Sequence, residues 1–407
     1  MPFVESSRLE QRVSLLSDYD TGAFSVAALC ARYGIDRSTF YLWLSRRSAG
    51  DPQWFADRSH APSSCPHRTA AEVEARVIAV RKRFAYFGPK KIRAWLSRED
   101  PDQHWPAAST MGDMLKRAGL VSSRRVRRRV VEVGSRPIWP EAPNAEWACD
   151  FKGWFRTRDG SRCDPLTVTD AYSRYLIEVR IADQTIAAVR PVFERIFKDH
   201  GLPGAIRCDN GPPFGSDGAG GLTRLSAWWL KLGVGVHLIR PASPQDNGRH
   251  ERMHRDLKGQ TSRPAAATLR EQQVRFDRFR KHYNEERPHE AIGQVVPACL
   301  WEASPRQMPD RPEEPWYDAD HEVRRVLQSG DIKWRRGRVF VSESLAGELV
   351  GVTEQEDGSH LVRFCDTDLG VIDRSGRFRR FAPHRYKLRE APEAANQNCG
   401  GSSRSKM

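Results

Sequence analysis

The chain has 407 residues, enough for roughly two to four domains, and at 39% hydrophobic content it can bury a core in at least one of them. Lys and Arg (66) outnumber Asp and Glu (52), a formal charge of +14 that favours a polyanionic partner, although charge alone also serves solubility. No stretch approaches the ~18 apolar residues of a membrane-spanning helix, "MPFVESSRLEQRV" lacks the basic-then-apolar pattern of a signal peptide, and the cysteines (Cys30, Cys65, Cys149, Cys163, Cys208, Cys299, Cys365, Cys399) form no CxxC pair, which argues against structural zinc and a disulfide framework. The expectation is a soluble cytoplasmic protein with free thiols.

In chain order, Arg8 to Tyr19 carries Leu9, Val13 and Leu16 on one helical face. Ser25 is a candidate cap for "VAALCARYG", which Gly34 breaks, and Asp36 for "RSTFYLWLSRR". Two such helices about a tight turn fit a helix-turn-helix over residues 1–50. Its second helix would present Arg37, Ser38, Thr39 and Tyr41 to a major groove, helped by Arg46 and Arg47. A plain helical bundle with a solvated second helix is the alternative. After a linker rich in Pro and Ser, residues 68–122 read as a second helical group, either another helix-turn-helix or a packed spacer. Pro89 suits a first helical turn there, and Ser109 or Thr110 a cap. "SSRRVRRRV" then clusters Arg124, Arg125, Arg127, Arg128 and Arg129, a solvated tether or a grip on phosphates.

Residues 140–305 read as an α/β domain. Two early strands flank a turn at Asp159-Gly160, a helix stops at Gly201, "AIRCDN" is a short strand ending in a turn, and helix, strand and helix follow. Consecutive strands and then alternation point to a mixed sheet with helices packed on it. Short alternating segments over residues 320–388 suggest a small all-β, barrel-like domain, with a disordered tail at 389–407.

Three carboxylates stand out: Asp150 in "EWACDFKGWF", Asp209 in "AIRCDNGPPF" and Glu251 in "SPQDNGRHERMHRDLKG". One carboxylate in a strand, one at a neighbouring strand's end and one on an adjoining helix can converge on a pair of divalent ions about 3.5–4 Å apart, the arrangement that activates and stabilises the oxygens of a phosphodiester reaction. Acidic residues are common, so a solvated Glu251 would be ordinary. Asp150, set among Trp147, Phe151 and Trp154, is harder to dismiss.

Together these motifs resemble bacterial insertion-sequence transposases of the retroviral-integrase-like DDE superfamily. "VAALCARYGIDRSTFYLWL" resembles the family's N-terminal helix-turn-helix. "EWACDFKGWF", "RCDNGPPF" and "PASPQDNGRHERMHRDLK" resemble the segments bearing its catalytic residues, at Asp150, Asp209 and Glu251; "ERPHEAIGQVVPACLW" resembles the end of its core, and "LAGELVGVTEQEDGSHLVRFCDTDLGVID" its C-terminal β-domain. The resemblance implies an RNase H-like core and a site using two Mg²⁺ ions, with Mn²⁺ able to substitute. It implies double-stranded DNA as partner, both element ends and target, with cleavage followed by strand transfer by a homo-oligomer in the nucleoid. The spacing from Asp209 to Glu251 exceeds the widespread version, and the extra length coincides with "GSDGAGG", which reads as a flexible loop. A catalytically silent DNA-binding regulator and an RNase H acting on hybrids are the competing readings.

Supporting roles are expected nearby. Asn210 and Gly211 would shape the turn that aims Asp209, and Asn247 and Gly248 would begin the helix of Glu251. Lys258 shares a helical face with Glu251 and suits a DNA phosphate; Arg255 suits either DNA or a pair with Glu251. His250 and His254 have the spacing of a zinc half-site, but solvated or DNA-contacting side chains are the expectation. Asp164 and Asp170 suit turns or caps, and Lys333, Arg335, Arg336 and Arg338 either DNA contacts or a hairpin rim in water.

Overall fold

The computed structural model describes residues 7–58, 68–121, 140–239 and 248–381. The chain divides into two compact units, Met1–Ala70 and Ala71–Met407.

The first unit holds α1 (Arg8–Asp20), α2 (Val26–Tyr33) and α3 (Arg37–Ser48). Ser7 and Glu10 close a capping box on α1, Ser25 caps α2, and Gly34 ends α2 in the left-handed conformation with φ 65°. Asp36 occupies the cap position of α3 but makes no side-chain cap bond. Leu15, Leu16, Leu29, Cys30 and Phe40 form the core. Of the expected apolar face Leu16 is buried, beside Leu15, but Leu9 and Val13 are exposed, so the buried face is shifted. Both faces have helical spacing. The buried one meets its neighbours because Arg12 lies over the Trp43 ring and Tyr19 packs edge-on against Phe40.

The second unit begins with α4 (Ala71–Arg83), α5 (Pro89–Glu99) and α6 (Ala108–Arg117) around Phe84, Phe87, Ile92, Leu96, Met111 and Leu115. Pro89 opens α5 as expected. Neither Ser109 nor Thr110 caps α6; Ala107 holds the cap position, two residues before Ser109.

The middle of the chain contributes β1 (Glu146–Phe151), β2 (Phe155–Arg156), β3 (Arg162–Cys163), β4 (Pro165–Asp170), β5 (Leu176–Ile181), α7 (Ile186–His200), β6 (Ala205–Cys208), α8 (Arg224–Lys231), β7 (Gly235–Leu238), α9 (Gly248–Thr261) and α10 (Leu269–Glu285). The sheet order is β5-β4-β1-β6-β7. β5, β4 and β1 are antiparallel neighbours, whereas β1, β6 and β7 run parallel. One face carries Trp147, Cys149, Leu166, Val168, Ile206 and Cys208 and packs on Phe193 and Phe197 of α7 and Trp229 of α8. A separate cluster joins Leu176 and Val179 to Met253 and Leu257 of α9 and Phe276 and Phe279 of α10. Gly201 ends α7 at φ 75°, and a Cβ there would lie 2.4 Å from the Ser304 carbonyl oxygen, so the close return of the chain requires glycine. α5 and the residues before it anchor on this domain: Lys90 pairs with Glu290 at 2.9 Å, Arg98 donates to the Glu285 carbonyl at 3.0 Å, and the Tyr86 hydroxyl bonds His282.

The last part comprises β8 (Glu322–Arg325), β9 (Asp331–Trp334), β10 (Gly337–Phe340), β11 (Leu349–Glu354), β12 (His360–Phe364), β13 (Thr367–Ile372) and β14 (Phe378–Arg380). It is β-rich as expected. Among the described residues it forms an open antiparallel sheet, β14-β13-β12-β11-β8, beside a β9-β10 ribbon, and neither closes into a barrel. Its core reaches back to Ala219 and Leu222. The "GSDGAGG" segment is thus packed rather than a free loop: Ala219, Gly220 and Gly221 are buried, and a Cβ on Gly220 would lie 3.1 Å from a Leu369 methyl.

Candidate active site

β1 and β6 run side by side with Ala148 opposite Arg207, which places Cys149 beside Cys208 and carries the chain on to Asp150 and Asp209. Burial, a hydrogen bond to Cys208 and the charges of Asp150 and Asp209 together push the Cys149 thiol well up. Both thiols lie in the α7–α8 core. Side chains alternate along a strand, so Asp150 and Asp209 turn to the opposite face. Asp209 follows the last residue of β6, where solvent reaches it, yet surrounding protein removes enough water to raise its carboxyl above the usual aspartate range; the Gly211 N–H, 3.3 Å away, opposes this. Asn210 donates to the Ile239 carbonyl at 2.6 Å and so ties this turn to the end of β7. Glu146, buried earlier on β1, binds Arg207 of β6 at 3.1 Å and His237 of β7 at 2.8 Å, fixing the three parallel strands together.

α9 begins at Gly248, as expected, and Glu251 lies in its first turn with an exposed side chain. Arg255 and Lys258 are exposed on the same helix. His250 and His254 are not: they are 3% and 8% exposed, respectively. With Met253 and Leu257 they form the helix face turned to the protein. The expectation of solvated histidines fails because positions 250, 253, 254 and 257 share one helical stripe. The string from His250 to His254 also has the H-E-x-x-H pattern, but both Nε2 atoms are spent on the Thr167 hydroxyl, at 2.7 and 2.8 Å.

Among the described residues no three His, Cys, Asp or Glu side chains gather into a set that could hold a metal ion. Strand pairing leads the chain to Asp150 and Asp209 on adjacent strands, and Asp150, Asp209 and Glu251 do not form such a set among the described residues. The His254 ring is the α9 group that faces Asp150, with Nδ1 4.0 Å from Oδ2. Donor chemistry on this face fits hard divalent cations: the carboxylates supply oxygen, and the soft Cys149 and Cys208 sulfurs point the other way.

Lys152 also belongs to this region. Burial lowers its ammonium, and so do the charges of Lys258 and Arg263, while Asp150 acts in the opposite sense. Lys258, Arg263 and Asp150 therefore all lie within electrostatic reach of Lys152. The only sequence signal for Lys152 was its place two residues after Asp150, on the same side of an extended segment.

Asp164 accepts from Arg162 and Gln184, and Asp170 accepts from the Asn144 and Ser173 backbones, so both hold local structure as expected. On α3, Arg37, Ser38 and Tyr41 are exposed and Thr39 is half-buried, whereas Arg47 is engaged by Asp20 through two bonds. Arg124, Arg125, Arg127, Arg128, Arg129, Asn247 and the tail at 389–407 lie outside the described residues. The described cysteines, Cys30, Cys149, Cys163, Cys208, Cys299 and Cys365, are free, and no described helix is long and apolar enough to cross a membrane.

Burial lowers His254 to about 3 and His289 to about 2, the latter also repelled by Arg287 and Lys91. Their unfolded-state value is 6.5, so the unfolded chain takes up protons that the folded chain refuses. Stability is then complete above that value and falls as pH drops through the window below it. At about pH 5 the expected loss is about 2 kcal/mol per histidine relative to about pH 7.5. Urea midpoints at the two pH values measure it; coincident midpoints would contradict the burial of these rings.

The family model described as "Integrase core domain" matches residues 140–244, and a second model of the same description matches residues 232–297. Residues 140–297 form an integrase core domain of the retroviral-integrase-like DDE superfamily. The chain is similar to an uncharacterized 31.7 kDa protein of insertion element IS407 from Burkholderia multivorans. Identity is 26% over 228 residues, covering 55% of this chain and 78% of that protein. It is also similar to an uncharacterized 39.2 kDa protein of insertion element IS476 from Xanthomonas euvesicatoria, 27% identical over 243 residues, covering 59% of this chain and 66% of that one. Among solved structures, a chain of the simian T-cell lymphotropic virus intasome in complex with PP2A regulatory subunit B56 gamma aligns with 75% of this chain and 98% of its own length. Identity is 15% and the TM-score 0.36, a likeness too remote to decide anything about this integrase core.

Proposed function

We propose that the protein is an insertion-sequence transposase that binds element-end DNA, cleaves it and joins the freed end to target DNA. What supports this reading is the parallel pairing of β1 and β6, which leads the chain to Asp150 and Asp209 on neighbouring strands, together with the packing of the helix of Glu251 on Thr167 of β4. These three carboxylates are the proposed catalytic residues and cation ligands. Two Mg²⁺ or Mn²⁺ ions bound there would lower the nucleophile's pKa and neutralise charge on the phosphorane. Water opens the first phosphodiester and leaves a 3′-hydroxyl, which attacks the target in line, with no covalent protein intermediate. Lys152, Arg255 and Lys258 offer cations to the phosphates along the approach to Asp150. Asn210 and Gly211 hold the turn of Asp209, while Gly248 starts the helix of Glu251.

The remaining parts are assigned to DNA. Residues 1–50 act as a helix-turn-helix whose α3 presents Arg37, Ser38, Thr39 and Tyr41 to the major groove. Residues 68–122 extend the contact, the Arg124–Arg129 cluster grips phosphates ahead of the catalytic core at 140–305, and 320–388 add a β-rich domain. Processing two ends together calls for a homo-oligomer, placed on the cytoplasmic nucleoid. Membership of insertion elements by the two relatives favours this over an RNase H. A catalytically silent DNA-binding regulator is the second reading.

The experiment is a strand-transfer assay with duplexes taken from the flanks of the gene. Purified protein with Mg²⁺ should convert labelled ends into joined products, and EDTA should stop both cleavage and joining while end binding persists. Binding without any cleavage, with or without metal, would select the regulator.

A further inference from the structure

Thr167 stands opposite Asp150 in the β1–β4 register, and its side chain is fully buried. Its hydroxyl has three partners: the Asp150 carbonyl oxygen at 3.0 Å, His250 Nε2 at 2.7 Å and His254 Nε2 at 2.8 Å. A hydroxyl owns one proton. The carbonyl can only accept, so the proton goes to Asp150, and both imidazoles must donate from Nε2. His250 Nδ1 is then an acceptor, and the Thr169 hydroxyl stands 3.2 Å away to donate to it. The two rings meet edge-on, with centroids 4.7 Å apart and planes at 88°. At 4.0 Å, His254 Nδ1 is beyond hydrogen-bond reach of the Asp150 carboxylate. His254 therefore acts on Asp150 through Thr167 and the main chain.

We propose that Thr167, His250 and His254 are positioning residues that set Asp150 and Glu251 relative to one another. This rests on the reading of those carboxylates as cation ligands. Glu251 follows His250 directly and precedes His254 by three residues, so two buried bonds hold the rotation and height of its helical turn against β4. The third bond of the same oxygen holds the β1 backbone at Asp150. No water replaces these bonds at a buried site, and each one lost leaves an unsatisfied group. A ligand set supported in this way loses metal affinity when the support is removed.

The test uses the full chain and follows Mn²⁺ binding by electron paramagnetic resonance, with no DNA and no turnover. Thr167→Val, close to isosteric but without the hydroxyl, should weaken Mn²⁺ binding roughly 10- to 100-fold, and Thr167→Ser should restore it. Circular dichroism at the same temperature shows that each variant is folded. If Thr167→Val does not fold, His254→Asn and His254→Gln make the same comparison: glutamine carries a donor at the reach of Nε2, asparagine does not. Wild-type affinity in folded Thr167→Val, beside weakened binding in Asp150→Asn, overturns the positioning role alone. Unchanged affinity in Asp150→Asn overturns the ligand reading and this proposal with it.

Discussion

Asp150→Asn is expected to slow end cleavage and strand transfer by about 10³-fold while leaving the protein folded and bound to end DNA. The size follows from the proposed role. A cation ligand at a phosphoryl centre underlies several kcal/mol of transition-state charge stabilisation, and each ~1.4 kcal/mol is a factor of ten in rate. The selectivity follows from the geometry. Asparagine keeps the shape of aspartate, and the bond from Thr167 goes to the main-chain carbonyl of residue 150, which the substitution does not touch. The β1–β4 register and the neighbouring core should survive. Single-turnover rates on labelled ends, with binding measured separately by fluorescence anisotropy, separate the two effects. Activity within tenfold of wild type would remove Asp150 from the active site; a parallel loss of end binding would show that the substitution had damaged more than a ligand.

Trp147→Ala should cause the largest loss of stability, about 3–5 kcal/mol. Trp147 is fully buried on the same strand as Asp150, between Phe197 of α7 and Trp301 from the far end of the core. Its indole N–H donates to Asn144 Oδ1 at 3.0 Å, and Asn144 itself receives structural support because its backbone N–H donates to Asp170 at 2.8 Å. Truncation opens a cavity and orphans a buried acceptor. Against a typical total of about 5–15 kcal/mol, that is enough to unfold much of the core near physiological temperature. Urea unfolding followed by near-ultraviolet circular dichroism reads it, with Trp316→Ala as the control. Trp316 is 82% exposed, and its loss should change stability by no more than about 0.5 kcal/mol. Equal effects at the two positions would mean that the β1 core is not what holds the domain.

Local chemistry was readable from the chain alone. Pro89, Ser25, Gly34 and Gly201 act where their backbone preferences place them, and the mixed sheet follows from the order of apolar runs. Asp150 could be singled out because it sits in an apolar strand among Trp147, Phe151 and Trp154, and Asp209 because it directly follows a short apolar strand. Periodicity was a weaker guide on α1, where two faces had the right spacing and only contacts from Arg12 and Tyr19 selected between them. On α9 the stripe of His250, Met253, His254 and Leu257 was visible, but polar character argued for water over burial.

What the sequence by itself determined is therefore the set of local commitments: where helices begin and end, which strands are apolar, and which carboxylates stand beside them. Tertiary structure decided everything that depends on a partner distant in the chain. It turned a glycine-rich loop into packing for the C-terminal sheet, left that sheet open, and buried two histidines because Thr167, more than eighty residues earlier, offers one oxygen to both. Hydrogen bonds and close packing are set by distances between atoms of different segments, and a linear string carries those distances only through the fold that it produces.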